Sequence, residues 1–178
     1  MRYKRFNDGN LKRGVEGKYR YRDSTLEFTI WGTNSAADFF RNFAAWPRIE
    51  YTWCKVHRYW YMYALNLVEI VKDRVKQNTE RILLRGHSMG GAVAQIAAKM
   101  LKSKYNITCV SIGAPMAGDQ PFIDSISDFT TFIRHRGDII PFLPGPGYGR
   151  PKVECEIGKW HLPWKAHAEF CPLKDGEK

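Results

Sequence analysis

The residues best placed to do chemistry in this chain surround one serine, in Gly86-His87-Ser88-Met89-Gly90. The apolar run RILLRG precedes the serine, and the alanine-rich stretch GGAVAQIAAKML follows it. Where a strand turns sharply into a helix, a serine at the turn projects its hydroxyl from the sheet edge, and small neighbours allow close approach. The N–H after the serine faces the helix N-terminus, where developing negative charge is stabilised. We therefore predict a nucleophilic Ser88; the alternative is a glycine-rich turn without chemistry.

A serine nucleophile needs a base and a carboxylate that orients the base. A sharp turn of this kind, from a strand through a serine into a helix, is called a nucleophile elbow. In chains with such an elbow, both the base and the carboxylate come later in the sequence, with the acid ahead of the histidine. Asp138 follows the strand-like stretch TTFIRHR, and prolines soon after it end regular structure. Its carboxylate is therefore predicted at a strand end on the edge that carries Ser88. Of the other downstream acids, Asp119 and Asp124 are interpreted as helix caps.

Two histidines follow Asp138 and are candidates for the base, His161 and His167. His167 is preferred because small Ala166 and Ala168 would let its imidazole approach a crowded elbow. His161 stays open as the alternative, although its tryptophan and leucine neighbours suit a packed or loop histidine. His87 flanks the serine and is expected to point away from it.

Length and composition predict one globular domain. The chain has 178 residues, of which 44% are hydrophobic and 14% aromatic. No apolar run reaches the roughly 20 residues of a membrane span, and no secretory signal is recognisable. We therefore expect a soluble protein, with a cytoplasmic location favoured. Free thiols are expected for the cysteines, although a bridge between Cys155 and Cys171 is conceivable.

The charge balance is strongly basic, with 28 Lys and Arg against 18 Asp and Glu, or +10. Such a surplus favours anionic partners, and an acidic lipid surface is one of them. The alternative is a solvated basic arm that serves solubility. Aromatic residues interleave with the early basic ones, but no nucleic-acid motif organises them, so no nucleic-acid partner is expected. The cysteines form no C-x-x-C pair, so no structural zinc is expected.

Extended and helical patterns alternate along the chain, which predicts an α/β fold. Strands are predicted in STLEFTIWGT, RILLRG, ITCVSIG and TTFIRHR, and helices in AADFFRNFAAW, RYWYMYALNLVEIVKDRVKQ and GGAVAQIAAKMLKS. Apolar strands without alternation indicate a mainly parallel central sheet with helices on both faces. Residues 1–23 are interpreted as a basic N-terminal arm and residues 24–170 as the core. PFLPGPGYGRPK is predicted to be a long irregular loop.

Five stretches in this order resemble the class 3 lipase family, the fungal-lipase-like branch of the α/β-hydrolases. They are FTIWGT, VHRYWYMYA, GHSMGGAVA, GAPMAGD and RGDIIPFLP. The resemblance covers roughly residues 24–170 and implies a compact, single α/β-hydrolase domain. Trp31 stands where many relatives carry Arg, and Met89 stands where Leu is usual.

The resemblance also implies roles for individual residues. Ser88 would be the nucleophile, Asp138 the orienting carboxylate and His167 the base, with Phe170 as the aromatic that often follows the histidine. The oxyanion hole would use the backbone N–H groups of Met89 and Thr33. The segment NSAADFFRNFAAWP would be the lid, with an ordinary packed helix as the alternative. Its aromatic candidates for acyl-chain contact are Phe39, Phe40, Phe43 and Trp46.

The function implied is hydrolysis of carboxylic esters through an acyl-enzyme, without metal or organic cofactor. A lipase or a phospholipase A1-like acyl hydrolase is favoured, and its substrate would be an ester or a lipid. A short-chain esterase or another acyl hydrolase is the alternative within this class. The rival from another class is a non-catalytic hydrolase-fold domain that binds anionic membrane or nucleic acid.

Overall fold

The computed structural model describes residues 3–7, 16–31, 48–152, 155–162 and 165–167. The strands there are β1 (Lys4–Asn7), β2 (Glu16–Arg22), β3 (Thr25–Ile30), β4 (Arg48–Tyr51), β5 (Cys54–His57), β6 (Arg81–His87), β7 (Ile107–Ile112), β8 (Thr130–His135) and β9 (Cys155–Ile157). The α-helices are α1 (Arg58–Lys72), α2 (Met89–Leu101) and α3 (Gln120–Ile126). A 3-10 turn covers Ile140–Phe142, and residues 165–167 are helical.

Seven of these strands form the central sheet, in the order β1-β2-β3-β6-β7-β8-β9. The β1–β2 and β2–β3 pairs are antiparallel. The β3–β6, β6–β7, β7–β8 and β8–β9 pairs are parallel. Strands β4 and β5 form a separate antiparallel hairpin. The predicted α/β fold with a mainly parallel sheet is confirmed, and the four strands predicted from apolar runs are β3, β6, β7 and β8.

The N-terminal stretch corrects one of our interpretations, because strands β1 and β2 lie inside the segment assigned to a basic arm. Phe6 pairs with Gly17, and Tyr19 pairs with Phe28 of β3. The Phe6 side chain is buried, and its ring centroid lies 5.5 Å from that of Phe28. Basic and aromatic residues alternate in KYRYR, so the tyrosines share the core side of the strand and the cations share the other. An interpretation of this segment from its net charge misses the two-residue alternation that indicates a strand.

The sequence predicts helices on both faces of the sheet, and the three α-helices that the structure describes pack on the same side. Helix α2 lies against β6 and β7, and both α1 and α3 contact α2. Gln95 of α2 donates a hydrogen bond of 2.7 Å to Ser111 of β7, which identifies the side that α2 covers. Nearly all of α2 is buried, in keeping with its small, alanine-rich sequence. The irregular stretch predicted for PFLPGPGYGRPK begins inside the 3-10 turn and runs on from it.

The opposite face of the sheet carries a charged group at its centre. Glu27 of β3 is only 5% exposed and accepts from Arg20 Nε at 2.7 Å, while Arg85 Nη1 lies 3.7 Å away. Two arginines offset the desolvation of this carboxylate. The helical stretch 165–167 reaches this side of the sheet at the strand ends, where His167 stacks on His87. The described α-helices lie on the face opposite to Glu27, the one that α2 covers.

The described cysteines are free thiols. Burial raises the pKa of the Cys109 thiol to about 12, in agreement with its place in the apolar strand β7. Cys155 is exposed, and Cys171 lies outside the described residues. Among the described helices, none is both long and apolar enough to cross a bilayer.

If β1 is part of the core, removing the Phe6 ring will destabilise the protein. We expect Phe6→Ala to lower the free energy of unfolding by about 3 kcal/mol, because a buried aromatic ring is lost. The matched control is Lys4→Ala on the same strand, where the exposed side chain should matter by less than about 0.5 kcal/mol. Urea unfolding measures both. Equal stability of the two variants would contradict a core role for β1.

Candidate active site

Ser88 occupies the sharp turn between β6 and α2. Its φ is 54° and its ψ is −131°, a conformation that residues other than glycine seldom adopt. The turn is held on both sides, because Ser88 N donates to Ile112 O at 2.9 Å and Gly91 N donates to Ser88 O at 2.9 Å. The strained residue is therefore fixed by strand β7 and by the first turn of the helix.

The glycines of the motif are required by close backbone contacts. A Cβ on Gly86 would overlap the carbonyl group of Gly90. A Cβ on Gly90 would lie 2.6 Å from the carbonyl oxygens of both Ile30 and Trp31, at the end of β3. The elbow can therefore form only when Gly86 and Gly90 have no side chain. The absence of a Cβ at Gly90 also lets the end of β3 pack directly on the start of α2.

His167 connects Ser88 to Asp138. His167 Nε2 lies 2.9 Å from Ser88 Oγ, and His167 Nδ1 lies 2.9 Å from Asp138 Oδ2. A carboxylate only accepts, so Nδ1 carries the proton and donates it, which leaves Nε2 to accept from the serine hydroxyl. The three residues are 9%, 6% and 3% exposed in the order His167, Ser88, Asp138. The arrangement is a buried, continuous hydrogen-bond chain.

Asp138 is itself held in place by backbone groups. Its Oδ1 accepts from Ile140 N at 2.9 Å, and its own N donates to His135 O at 3.0 Å. The residue follows β8, as the sequence predicts. Asp119, by contrast, caps α3 by accepting from Phe122 N at 3.0 Å, so its interpretation as a helix cap is confirmed.

His161 packs against residues at the end of β8. Its ring stacks on that of His135, with centroids 5.5 Å apart. Its backbone carbonyl packs so closely on Gly137 that a Cβ there would overlap it. Of the two candidate histidines, the structure places His167 beside the serine and gives His161 a packing position.

His87, which is expected to point away from Ser88, contacts the candidate base His167, and we did not foresee this contact. Its ring stacks on the ring of His167, with centroids 4.8 Å apart. Its Nε2–H donates to the backbone carbonyl of His167 at 3.1 Å. Alternation along β6 offered a signal, since it turns His87 to the face opposite Gly86, and His167 arrives from that face.

Met89 is the first residue of α2, so its N–H lies at the N-terminus of that helix beside Ser88. Thr33, the other predicted oxyanion residue, lies outside the described residues, but the backbone of Trp31 is packed against Gly90. The lid candidates and the aromatic after the histidine also lie outside the described residues: Phe39, Phe40, Phe43, Trp46 and Phe170. In the described part of the chain, no cluster of His, Cys, Asp or Glu could hold a metal ion.

The family model described as Lipase (class 3) matches residues 27–148. The chain belongs to the class 3 lipase family. The match includes the elbow and Asp138, and it ends before His167. The resemblance drawn from the five sequence stretches is therefore confirmed.

A relative of this class 3 lipase chain is a rice protein named phospholipase A1-II 1 (Oryza sativa subsp. indica). It is 31% identical over 109 residues, which are 56% of this chain and 28% of the rice protein. This chain therefore spans little more than a quarter of that curated relative's length.

Solved lipase structures share the fold. The nonglycosylated LIP2 lipase of Yarrowia lipolytica superposes with a TM-score of 0.73 at 23% identity, covering 88% of this chain and 66% of that one. The lipase of Rhizopus microsporus var. chinensis gives a TM-score of 0.70 at 23% identity, covering 92% and 68%. At these identities the likeness establishes the α/β-hydrolase fold.

The space between Asp138 and His167 depends on Gly113, which ends β7 with a φ of +54°. A Cβ there would lie 2.8 Å from Asp138 Oδ2 and 3.3 Å from His167 Nδ1. We expect Gly113→Ala to lower the free energy of unfolding by more than about 2 kcal/mol, since backbone strain and overpacking add.

The matched control is Gly145→Ala. Gly145 also has a positive φ, +105°, but apart from its chain neighbours no atom lies within 4 Å of the position that a Cβ would take. Only the backbone cost of about 1–2 kcal/mol is expected there. Urea unfolding of both variants isolates the crowding at the site, and an equal loss would show that Asp138 and His167 do not crowd Gly113.

Proposed function

We propose that this class 3 lipase chain is a serine carboxylic-ester hydrolase that acts through an acyl-enzyme, and that its substrates are lipid esters of the lipase or phospholipase A1 type. One observation carries the proposal, the buried hydrogen-bond chain from Ser88 through His167 to Asp138. Nucleophile, base and orienting acid stand there in the order that serine hydrolysis requires.

In the first half of the reaction, Ser88 Oγ attacks the ester carbonyl carbon. His167 Nε2 takes the hydroxyl proton as the new C–O bond forms, and the carbonyl π electrons move onto the oxygen. Collapse of this tetrahedral oxyanion breaks the bond to the alkoxy group, which takes the proton from Nε2 and leaves as the alcohol. Asp138, 2.9 Å from Nδ1, stabilises the transient imidazolium.

In the second half, water replaces the alcohol. His167 Nε2 takes a proton from the water as its oxygen adds to the acyl carbon. The second oxyanion collapses, the bond to Ser88 Oγ breaks, and the proton on Nε2 returns to Oγ. The acid is released and the free hydroxyl is restored. Every proton in this cycle passes through one ring nitrogen, so no metal or organic cofactor is needed.

The oxyanion is assigned to the backbone N–H of Met89 and to that of Thr33. Met89 begins α2, where the N-terminal end of the helix favours negative charge. The Thr33 assignment is supported by Trp31, two residues earlier in the chain, whose backbone packs on Gly90 of the elbow.

His87 is proposed as a positioning residue for the base. It touches His167 twice, through the stacked rings and through the 3.1 Å hydrogen bond to the backbone carbonyl. The two contacts fix both the main chain and the ring plane of His167. A base held this way keeps Nε2 directed at Ser88 while its charge changes.

The lipid assignment rests on family membership and on the phospholipase A1 name of the rice relative. The aromatics Phe39, Phe40, Phe43 and Trp46 would suit contact with acyl chains. A panel of p-nitrophenyl esters of rising chain length separates a lipid hydrolase, with a long-chain optimum, from a short-chain esterase. The strained conformation of Ser88 argues against a binding domain without turnover, since such strain persists mainly at functional sites.

Replacing the nucleophile tests the proposal directly. Ser88→Ala removes one hydroxyl and should lower kcat for p-nitrophenyl ester hydrolysis by at least about a thousandfold. Labelling by a fluorophosphonate should also disappear. The thermal midpoint of unfolding serves as the control for folding. Hydrolysis that stays within about tenfold of the parent would exclude Ser88 as the nucleophile.

The choice of base is tested by two matched substitutions. His167→Ala should slow fluorophosphonate labelling of Ser88 by at least about a thousandfold, because the proton acceptor is lost. His161→Ala removes an imidazole of equal size that stacks on His135, so its labelling rate should stay within about tenfold. The opposite pattern would require a different base.

A further inference from the structure

Three large apolar side chains stand exposed beside the candidate site. Ile139 is 50% exposed, Trp160 is 66% exposed and Leu162 is 68% exposed. We call these three residues the apolar rim. Isolated exposed apolar residues are common, but a group of them on one edge marks an interaction surface.

The apolar rim comes from two segments, one with Ile139 and one with Trp160 and Leu162, and both are connected to residues of the Ser88–His167–Asp138 hydrogen-bond chain. Ile139 directly follows Asp138. Leu162 O accepts from Ala166 N at 2.9 Å, and Ala166 is the residue before His167. The two segments also meet, because the His161 backbone, between Trp160 and Leu162, packs on Gly137. The rim therefore lies next to Asp138 and to the segment that carries His167.

The charge around the rim is positive. Lys159 is exposed next to Trp160. The Arg136 side chain is 58% exposed, and it shares the carboxylate of Glu156 with Arg134, at 3.7 Å and 3.1 Å respectively. Among these described residues, three cationic groups stand against the single carboxylate of Glu156, on a chain whose net charge is +10. Apolar side chains together with exposed cations fit a layer that is apolar inside and anionic at its surface.

We propose that the apolar rim docks this protein on an anionic lipid bilayer, with Trp160 and Leu162 entering the headgroup region and Lys159 facing the acidic headgroups. Tryptophan favours this region because its ring is apolar and its N–H is polar. The proposal rests on the proposed lipid hydrolase function, since it names the surface from which the substrate ester would reach Ser88.

Docking is measured with the Ser88→Ala variant, so that hydrolysis does not alter the lipid. Flotation uses phosphatidylcholine vesicles with and without about 30 mol% phosphatidylserine, at low and high salt. The Ser88→Ala protein should float with the anionic vesicles at low salt and much less with the others. Adding Trp160→Ala and Leu162→Ala should weaken the anionic partition by at least about tenfold.

The matched control uses two exposed apolar residues from other elements of the fold. Trp53 and Met62 are 63% and 55% exposed, and Trp53 lies beside Lys99 in the last turn of α2. Ser88 stands at the other end of that helix, and the rise of about 1.5 Å per residue puts it about 17 Å from Lys99. Trp53→Ala with Met62→Ala should leave the partition within about twofold. Lys159→Glu should weaken it more than Lys104→Glu, which makes the same charge change ahead of β7, at the opposite edge of the sheet.

An unchanged partition in the Trp160/Leu162 variant, or an equal loss in the Trp53/Met62 control, would overturn the proposal. Equal binding to both kinds of vesicle at low salt would overturn it as well. Absence of vesicle binding by the Ser88→Ala protein would also overturn it and would point to a protein partner for the rim. The proposed function has a separate readout, since fluorophosphonate labelling and p-nitrophenyl butyrate hydrolysis with Ser88 intact need no bilayer. The rim variants should keep both within about twofold.

Discussion

The close contact between the elbow and its neighbours is the constraint on which the site depends. Ser88 holds a strained backbone conformation because β7 binds its N–H and the first turn of α2 binds its carbonyl. Gly90 leaves room for the carbonyl oxygens at the end of β3. Strain of this kind costs on the order of 1–3 kcal/mol and persists only where surrounding structure determines it. The buried, small-residue helix α2 and the parallel strands on either side of β6 provide that structure.

Parallel pairing then brings the catalytic candidates together. Strands β6, β7 and β8 are neighbours and run the same way, so their carboxyl ends share one edge of the sheet. Ser88 follows β6, Gly113 follows β7, and Asp138 follows β8. The glycine in the middle leaves space for the imidazole of His167, which comes from beyond β9. His87 supports that imidazole from the last position of β6.

The basic N-terminal residues contribute to the same arrangement from a distance. Strands β1 and β2 extend the sheet beside β3, with Phe6 packed on Phe28. The cations of β2 lie on the other face, where Arg20 helps to neutralise the buried Glu27. Strand β3 is thus paired with β2 on one edge and with β6 on the other, and its C-terminal end packs on the elbow at Gly90. Part of the positive charge is therefore structural, while Lys159 lies next to the apolar rim and near the site.

The sequence alone determined the elbow, the mainly parallel sheet and the acid Asp138, because short local patterns encode them: an apolar strand, small residues and proline stops. It also narrowed the base to two histidines. Only the tertiary structure shows which of the two lies beside Ser88, since His161 and His167 are near in sequence and their distances to Ser88 depend on how the chain returns after β9. The pairing of β1 and β2, and the stacking of His87 on His167, were likewise decided there. Such contacts join residues far apart in the chain, and no local periodicity specifies them.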